Sequence, residues 1–436
     1  MMEESLYNTR TSPWLPTRRA ADIPGDSLLV LQGRGGSEFG LRAGDIARGV
    51  YLVGASRSGK TTVLCHCLAQ LIPRLGPHDG LLVFDPRRDF QRRFCRQGDF
   101  VLDPDPQGSG NAVWSLFADL VAFGTSDYAL EQNAARIAAR MFSGKENQMN
   151  PFFTTAPRRL LENLLLVYAR EILAHPEQAH RYGNHTLLQF CAGLSRQRLE
   201  ELIRRSPAPG ELRSYLGDSS TEQALGVLGE FQAAISPLHG FTGRHAPRFS
   251  AVDFARDGGG RVCYLAYDAS ASSSLDAVYG LIIDLALSTA LSSRPQSGRL
   301  YLVLDELPLI GGSVELLQRT LNFGAGQHIG GIFCAAQSNA QLREQYGPEA
   351  AESVLAGFGT TIVMRPGDAA TRRFAQERCG QITVPLQFAR CGVVTTSLQQ
   401  LPALPDGQLL TMGPGDAVVI APPEPPFAFH FLPFAG

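Results

Sequence analysis

Apolar residues along this chain follow two rhythms. Short runs recur at Gly49–Val53, Leu81–Phe84, Val262–Tyr267, Leu300–Leu304, Gly331–Ala335 and Thr360–Met364. Runs this short, with no alternation, predict strands buried on both faces of a parallel sheet. Between the first two, Thr61 to Leu75 carries a helical spacing that Gly76-Pro77 ends. The resulting strand–helix–strand order fits an α/β fold with a mostly parallel sheet. Ser27–Leu31 followed by Gly33-Arg34-Gly35-Gly36 predicts a hairpin opening, and a further strand is expected at Ala417–Ala421. Residues 1–24, polar and carrying Pro13, Pro16 and Pro24, read as an extended arm.

From about Tyr128 to Phe241 the rhythm is helical. Leu161, Leu164, Leu165, Tyr168 and Ile172 share one face, and Gln197–Arg205 and Glu222–Ala234 are further helices separated by Pro207-Ala208-Pro209-Gly210. Leu275–Leu291 predicts another helix, with Asp276, Gly280, Asp284 and Ser288 opposite its apolar stripe. The expected organisation is an N-terminal arm (1–24), a discontinuous nucleotide-binding domain (25–125 and 244–436) and an all-helical domain inserted at 126–243.

Composition narrows the class. With 436 residues, 44% of them hydrophobic, the chain can bury a large core. No stretch approaches about 18 uninterrupted apolar residues, so no membrane-spanning helix is predicted. Met1-Met2-Glu3-Glu4 does not begin a secretory signal, and the cytoplasm is the expected location. The net charge of −2 gives no global signal for nucleic acid. The eight cysteines show no zinc-knuckle spacing, and Cys65-His66-Cys67 reads as buried thiols rather than a metal site. Of the 39 cationic residues all but Lys60 and Lys145 are arginine, so one of two lysines sits where a phosphate-binding lysine is needed.

That place is Gly54-Ala55-Ser56-Arg57-Ser58-Gly59-Lys60-Thr61, which fits G-x-x-x-x-G-K-[ST] between an apolar strand and a helix and is followed by Thr62. Glycines let backbone N–H groups turn toward phosphate oxygens, and the helix directs its positive end at the same anion. Lys60 is expected on the β- and γ-phosphates of ATP, and Thr61 on Mg²⁺. Arg299-Leu300-Tyr301-Leu302-Val303-Leu304-Asp305-Glu306 reads as the second nucleotide motif. A carboxylate at the strand end suits the metal, which assigns Asp305, and a second suits the attacking water, which assigns Glu306 as base. Gln337, after the next strand, is expected to contact the γ-phosphate or the water. A carboxylate pair placed beyond an additional strand resembles the RecA-like branch of P-loop ATPases.

In this order the motifs resemble the coupling-protein ATPases of type IV secretion and bacterial conjugation (the TraD/TraG-like group). Gly49–Thr62 and Leu304-Asp305-Glu306-Leu307-Pro308 look like the family's two Walker segments. Leu82-Val83-Phe84-Asp85-Pro86-Arg87 resembles its strand ending in Asp-Pro-Lys/Arg. Asn150-Pro151-Phe152-Phe153, with Ala156 and Arg158-Arg159-Leu160-Leu161, resembles the start of its helical domain. Gln337-Ser338, Gln341-Leu342 and Tyr346-Gly347 resemble its later motif, and Asp368 to Gly380 its late helix. The resemblance implies a RecA-like ATPase domain with a helical insert and a homo-hexameric ring. The ring would be a motor moving DNA, or a DNA–protein complex, into a secretion channel. Its implied partners are DNA bound without sequence preference, a relaxase or secreted protein, and secretion-channel ATPases or membrane components. Docking at the inner membrane would then be peripheral, through a partner. Two departures stand out. The family's usual N-terminal membrane anchor is not seen, and Gly326-Gln327-His328 falls where Gly-Arg is common, leaving Arg365, Arg372 or Arg373 to reach a neighbouring subunit's nucleotide.

Arg87, Arg88, Arg92, Arg93 and Arg96 form a local basic cluster that suits DNA phosphates or pairs with Asp85, Asp89 and Asp99. Asp268–Ser274, small and polar, is a candidate pore loop. Two other functions fit the same motifs: a soluble hexameric DNA motor in DNA processing or defence, and an ATP-assembled adaptor that docks a protein substrate. The intact Asp305-Glu306 pair argues against the adaptor, because an assembly switch needs no base.

Overall fold

The computed structural model describes Leu15 and residues 24–105, 108–143, 150–216, 222–243, 246–266, 274–292, 296–310, 314–390 and 393–435. The candidate loop at 268–273 and nearly all of the N-terminal arm lie outside them. Fifteen strands and seventeen α-helices follow one another among the described residues. The strands are β1 (Ser27–Gln32), β2 (Glu38–Arg42), β3 (Val50–Val53), β4 (Gly80–Asp85), β5 (Phe100–Leu102), β6 (Val113–Trp114), β7 (Arg248–Phe249), β8 (Arg261–Ala266), β9 (Leu300–Leu304), β10 (Ile329–Ala336), β11 (Thr360–Met364), β12 (Gln381–Arg390), β13 (Val393–Pro402), β14 (Asp416–Ile420) and β15 (Phe427–His430). The helices before the long helical run are α1 (Ala43–Ala47), α2 (Lys60–Leu71), α3 (Asp89–Phe94) and α4 (Leu116–Ala122). Within it are α5 (Asp127–Met141), α6 (Phe152–Ala174), α7 (Asn184–Ala192), α8 (Arg196–Arg205), α9 (Pro209–Leu216) and α10 (Glu222–Ile235). After it come α11 (Ala251–Arg256), α12 (Ser274–Ala290), α13 (Val314–Phe323), α14 (Asn339–Tyr346), α15 (Pro348–Gly357), α16 (Ala369–Cys379) and α17 (Asp406–Leu410).

The chain divides into two compact units. The first comprises residues 1–74, 304–308 and 331–436. Its sheet runs β15-β14-β11-β3-β10. β3 lies parallel to both β10 and β11, while β14 and β15 are antiparallel. Every residue of β3 and β11 is buried, as the unbroken apolar runs require. β1 and β2 form the expected hairpin, turned through Gly35 and Gly36 at positive φ. A second hairpin, β12–β13, pairs Gln381 with Pro402 and Arg390 with Val393. The hydrophobic pattern does not signal it. Thr and Gln alternate with apolar residues weakly, and Pro385 within β12 argues against a strand.

The second unit comprises residues 75–303 and 309–330. β4 and β8 pair in parallel, as do β8 and β5, with β9 next to β4. Among the described residues, α5 to α10 follow one another between Asp127 and Ile235 without an intervening strand, bracketed by the short parallel pair β6–β7. α12 departs from its expected two-faced character. Gly280 and Asp284, on the side opposite the apolar stripe, are buried, and Asp284 meets Arg140 of α5 at 3.2 Å. Burial is thus tolerated there because the charge is paired.

Asp85 ends β4 and accepts the backbone N–H groups of Asp89 and Gln91, so the Asp-Pro-Arg segment caps α3. Asp119 on α4 is a fully buried junction that accepts from Trp114 Nε1 (2.7 Å), Ser250 Oγ (2.6 Å) and Val252 N (2.9 Å). Burial raises its pKa from 3.8 to about 6, while these hydrogen bonds pull it down. Asp119→Ala strands three donors and is expected to cost about 2–4 kcal/mol in denaturant unfolding. Because the folded pKa is the higher one, stability from protonation is full below the ordinary value and lost as pH rises through about 6. The stability of wild type relative to Asp119→Asn is therefore expected to fall between pH 4 and 6, which unfolding curves at several pH values would measure.

Candidate nucleotide site

β3 delivers the chain to Gly54, and the loop that follows hangs from the ends of neighbouring strands. Gly54 N donates to Ala336 O at the end of β10 (3.2 Å), Ala55 N to Arg365 O just past β11 (2.9 Å), and Gly415 N before β14 to Ser58 O (2.9 Å). A side chain is excluded at Gly54, where a Cβ would lie 2.6 Å from Met364 O. Gly59 has φ +114, and a Cβ there would press on Met364 Cε at 2.9 Å. Arg57 also adopts positive φ, without glycine's freedom. α2 begins at Lys60, so its first-turn N–H groups face the loop.

Lys60 is buried, and its ammonium donates to Gly54 O (2.5 Å) and Ala55 O (3.2 Å), folded back over the loop it would share with phosphate. Thr61 Oγ1 donates to Asp305 Oδ1 at 3.4 Å, which brings the two expected metal ligands together. A hydroxyl and a carboxylate are hard oxygen donors, suited to Mg²⁺ that keeps most of its water. Thr62 lies in the same first turn of α2.

Glu306 and Gln337 meet at 3.1 Å, Gln337 Nε2 donating to Glu306 Oε2. Gln337 Oε1 in turn accepts from Ser56 Oγ at 3.2 Å. The amide therefore bridges the loop to the carboxylate. Arg365 Nη2 donates to Ser56 O (3.0 Å), fixing the same residue from the β11 side.

Sequence reasoning missed the buried scaffold beneath this bridge. Tyr51 in the middle of β3 donates its hydroxyl to Asn339 Oδ1 (2.8 Å). Asn339 N donates to Thr371 Oγ1 (2.9 Å), and Thr371 bonds to Asp368, the N-cap of α16. Burial holds the Tyr51 phenol well above its ordinary pKa, so it remains a donor. Tyr346 OH donates to Leu307 O (2.9 Å), anchoring the segment after Glu306, and Ser338 caps α14 through Gln341 N. These residues fall within or beside segments that carry the family resemblance, but no sequence pattern signals the bonds between them.

The remaining candidates fall as follows. Arg365 is committed to the loop of its own chain and Arg372 pairs with Asp406 at 2.8 Å, whereas Arg373 is exposed. In the basic cluster, Arg88 pairs with Asp103 and Arg96 with Asp99, while Arg87, Arg92 and Arg93 are exposed. Cys65 and Cys67 are buried, with the Cys67 thiol pushed up to about 12, and His66 Nε2 meets Leu432 O. No cluster of potential metal ligands occurs among the described residues, and no helix among them is long and apolar enough to cross a membrane.

A family model, the type IV secretion-system coupling protein DNA-binding domain, matches residues 40–389. The chain belongs to that family. Among solved structures, this coupling-protein chain is similar to the plasmid coupling protein TrwB in complex with the non-hydrolysable ATP analogue ADPNP, at 18% identity and TM-score 0.69, covering 92% of this chain and 89% of that one. It is similar to TrwB in complex with ADP and Mg²⁺, at 18% identity and TM-score 0.67, covering 91% and 87%. VirB4 of Thermoanaerobacter pseudethanolicus matches at 14% identity and TM-score 0.57, covering 95% and 97%. At these identities the likeness is one of fold, and the fold is the RecA-like P-loop α/β class expected from the placement of the carboxylate pair and the family resemblance. No curated protein matches the chain in sequence.

If the Gln337 amide holds Glu306 in place, Gln337→Ala should lower kcat for ATP about 10–100-fold and change nucleotide affinity less than about threefold. Parallel steady-state assays and equilibrium binding of a fluorescent ATP analogue would test this, and an equal loss in both would reject it.

Proposed function

We propose that this chain is a Mg²⁺- and ATP-dependent motor that moves DNA, or a DNA–protein complex, into a type IV secretion or conjugation channel. The observation that carries this reading is the convergence of Ser56, Gln337 and Glu306 with Thr61 and Asp305 on one phosphate-binding loop. That convergence occurs in a chain of the coupling-protein DNA-binding family. TrwB, which shares the fold, has been seen with ADPNP and with ADP and Mg²⁺.

On this reading Gly54–Thr62 cradles the phosphates through backbone N–H groups and the start of α2. Lys60 exchanges two carbonyl contacts for phosphate oxygens, a stronger charge-assisted pairing. Thr61 and Asp305 would hold Mg²⁺, which would supply positive charge to offset that of the phosphates. Glu306 orients a water and accepts its proton as the water oxygen bonds to the γ-phosphorus and the bond to the ADP oxygen breaks. Gln337 keeps that carboxylate aligned and links it to Ser56. The long helical run is the inserted domain at 126–243, and the nucleotide-binding domain is made of 25–125 and 244–436. The working assembly is a homo-hexamer in the cytoplasm, docked peripherally through a membrane partner and supplied with a relaxase or secreted protein. Arg87, Arg92 and Arg93 are exposed cations available to DNA phosphates, whose binding would be independent of sequence and sensitive to salt.

Steady-state ATP hydrolysis with and without single- or double-stranded DNA tests the reading. Stimulation by DNA is expected, lost in Lys60→Ala. Glu306→Gln should bind ATP while turning over about 100-fold more slowly or worse. Hydrolysis indifferent to DNA would reject the motor, and near-normal turnover by Glu306→Gln would reject its role as base.

A further inference from the structure

The phosphate-binding loop carries one side chain that its backbone disfavours. Arg57 has φ +61, in the left-handed region where glycine sits freely and a side chain costs energy. Among the described residues only Arg57 and Arg88 combine a positive φ with a side chain. At Arg88 an ion pair with Asp103 at 3.0 Å accounts for the side chain. At Arg57 nothing within the chain does. Its side chain is exposed, and its guanidinium makes no hydrogen bond or ion pair among the described residues. A strained residue kept in a ligand-binding loop points to a use for its side chain outside the fold.

Both neighbours of Arg57 are pinned. Ser56 O accepts from Arg365 Nη2 (3.0 Å), and Ser56 Oγ donates to Gln337 Oε1 (3.2 Å). Ser58 is buried, and its carbonyl accepts from Gly415 N (2.9 Å). The backbone at Arg57 is therefore held on each side, and the side chain alone is left to swing. Gln337 in turn donates to Glu306 (3.1 Å), so the residue beside Arg57 is joined through one amide to the base. The other cations here are already engaged. Lys60 is buried on the carbonyls of Gly54 and Ala55, and Arg365 is held on Ser56. Phosphoryl transfer spreads negative charge over the equatorial oxygens of the γ-phosphate, and preplaced positive groups supply much of the acceleration. Lys60 and the loop N–H groups serve those oxygens from the buried side. A long, unbonded guanidinium at the exposed tip of the loop serves them from the solvent side, and its planar fork matches two oxygens at once.

We propose that Arg57 is a catalytic cation for the nucleotide bound in its own loop. It closes over the γ-phosphate and stabilises the charge that develops as the water oxygen bonds to phosphorus and the bond to the ADP oxygen breaks. Arg57 takes no proton; Glu306 does, and the products are ADP and phosphate. The inference rests on the ATPase reading above and adds a residue at a position that the loop motif leaves open. The test compares full-length wild type, Arg57→Gly, Arg57→Lys and Lys60→Ala. Glycine suits this backbone and removes only the cation, so Arg57→Gly should melt no lower than wild type. Its affinity for a fluorescent ATP analogue should change less than about threefold while kcat falls about 100-fold or more, the split expected of a group that acts on the transition state. Affinity for ADP with aluminium fluoride, a mimic of the transferring phosphoryl group, should fall by a similar factor, and affinity for ADP alone should not. Arg57→Lys, which keeps the charge without the fork, should regain about tenfold in kcat. Turnover by Arg57→Gly within about threefold of wild type, or a loss confined to ATP affinity, would overturn the proposal and leave the ATPase reading standing. Recovery of activity on mixing Arg57→Gly with Lys60→Ala would move the cation to a neighbouring copy's nucleotide and overturn the assignment to its own loop. Wild type that hydrolyses ATP no faster than Lys60→Ala would sink the ATPase reading itself, and the proposal with it.

Discussion

The nucleotide site depends on one constraint. A phosphate-binding loop has to hold several backbone N–H groups in a concave arc, a shape an unsupported peptide does not keep. Here the arc is suspended from strand ends. Ala336 O, Arg365 O and Gly415 N each take one backbone group of the loop, at about the lengths of sheet hydrogen bonds. Since β3 lies between β10 and β11 in parallel, their C-terminal ends fall at the same level, and that level is where the loop leaves. The close approach of Met364 O to Gly54 follows directly, and so does the need for glycine there.

The same geometry explains why Gln337 and Glu306 are adjacent. Gln337 is the first residue past β10 and Glu306 the second past β9, so each sits just beyond a strand end. The chain Tyr51–Asn339–Thr371–Asp368 ties β3, α14 and α16 to one another close by. Each link is worth only about 1 kcal/mol net. A broken link would leave a buried polar group unpaired, and that asymmetry makes the arrangement rigid. Ser56 is held from two sides, by Arg365 through its carbonyl and by Gln337 through its hydroxyl, so a displacement of the loop tip is felt at Glu306.

Much of this was legible in the sequence, for reasons that differ by residue. Buried parallel strands have no solvent face, so β3, β4, β9, β10 and β11 announce themselves as unbroken apolar runs. The loop Gly54–Thr62 is legible because phosphate binding fixes both residue types and spacing. Asp305 and Glu306 are legible only in relation to it. The scaffold was not, because Tyr51 and Asn339 are joined across a separation in sequence that no local pattern records. The β12–β13 hairpin was hidden by weak alternation and Pro385. The side of α12 carrying Asp284 was read as the polar one; periodicity reports a stripe and cannot tell that a second cation, Arg140, waits on the other side.

Charge follows the same division between global and local information. A net charge of −2 suggests indifference to nucleic acid, yet the sum conceals how charges are spent. Many arginines are consumed by carboxylates of their own unit, as Arg159 is by Glu162 and Glu211. Such pairs present little field to a polyanion. The exposed cations proposed to meet DNA, Arg87, Arg92 and Arg93, form no ion pair among the described residues. Coulomb attraction between exposed charges fades over roughly 8–10 Å at physiological salt, so a contact of this kind would act locally, and the net charge of the whole chain carries no information about it.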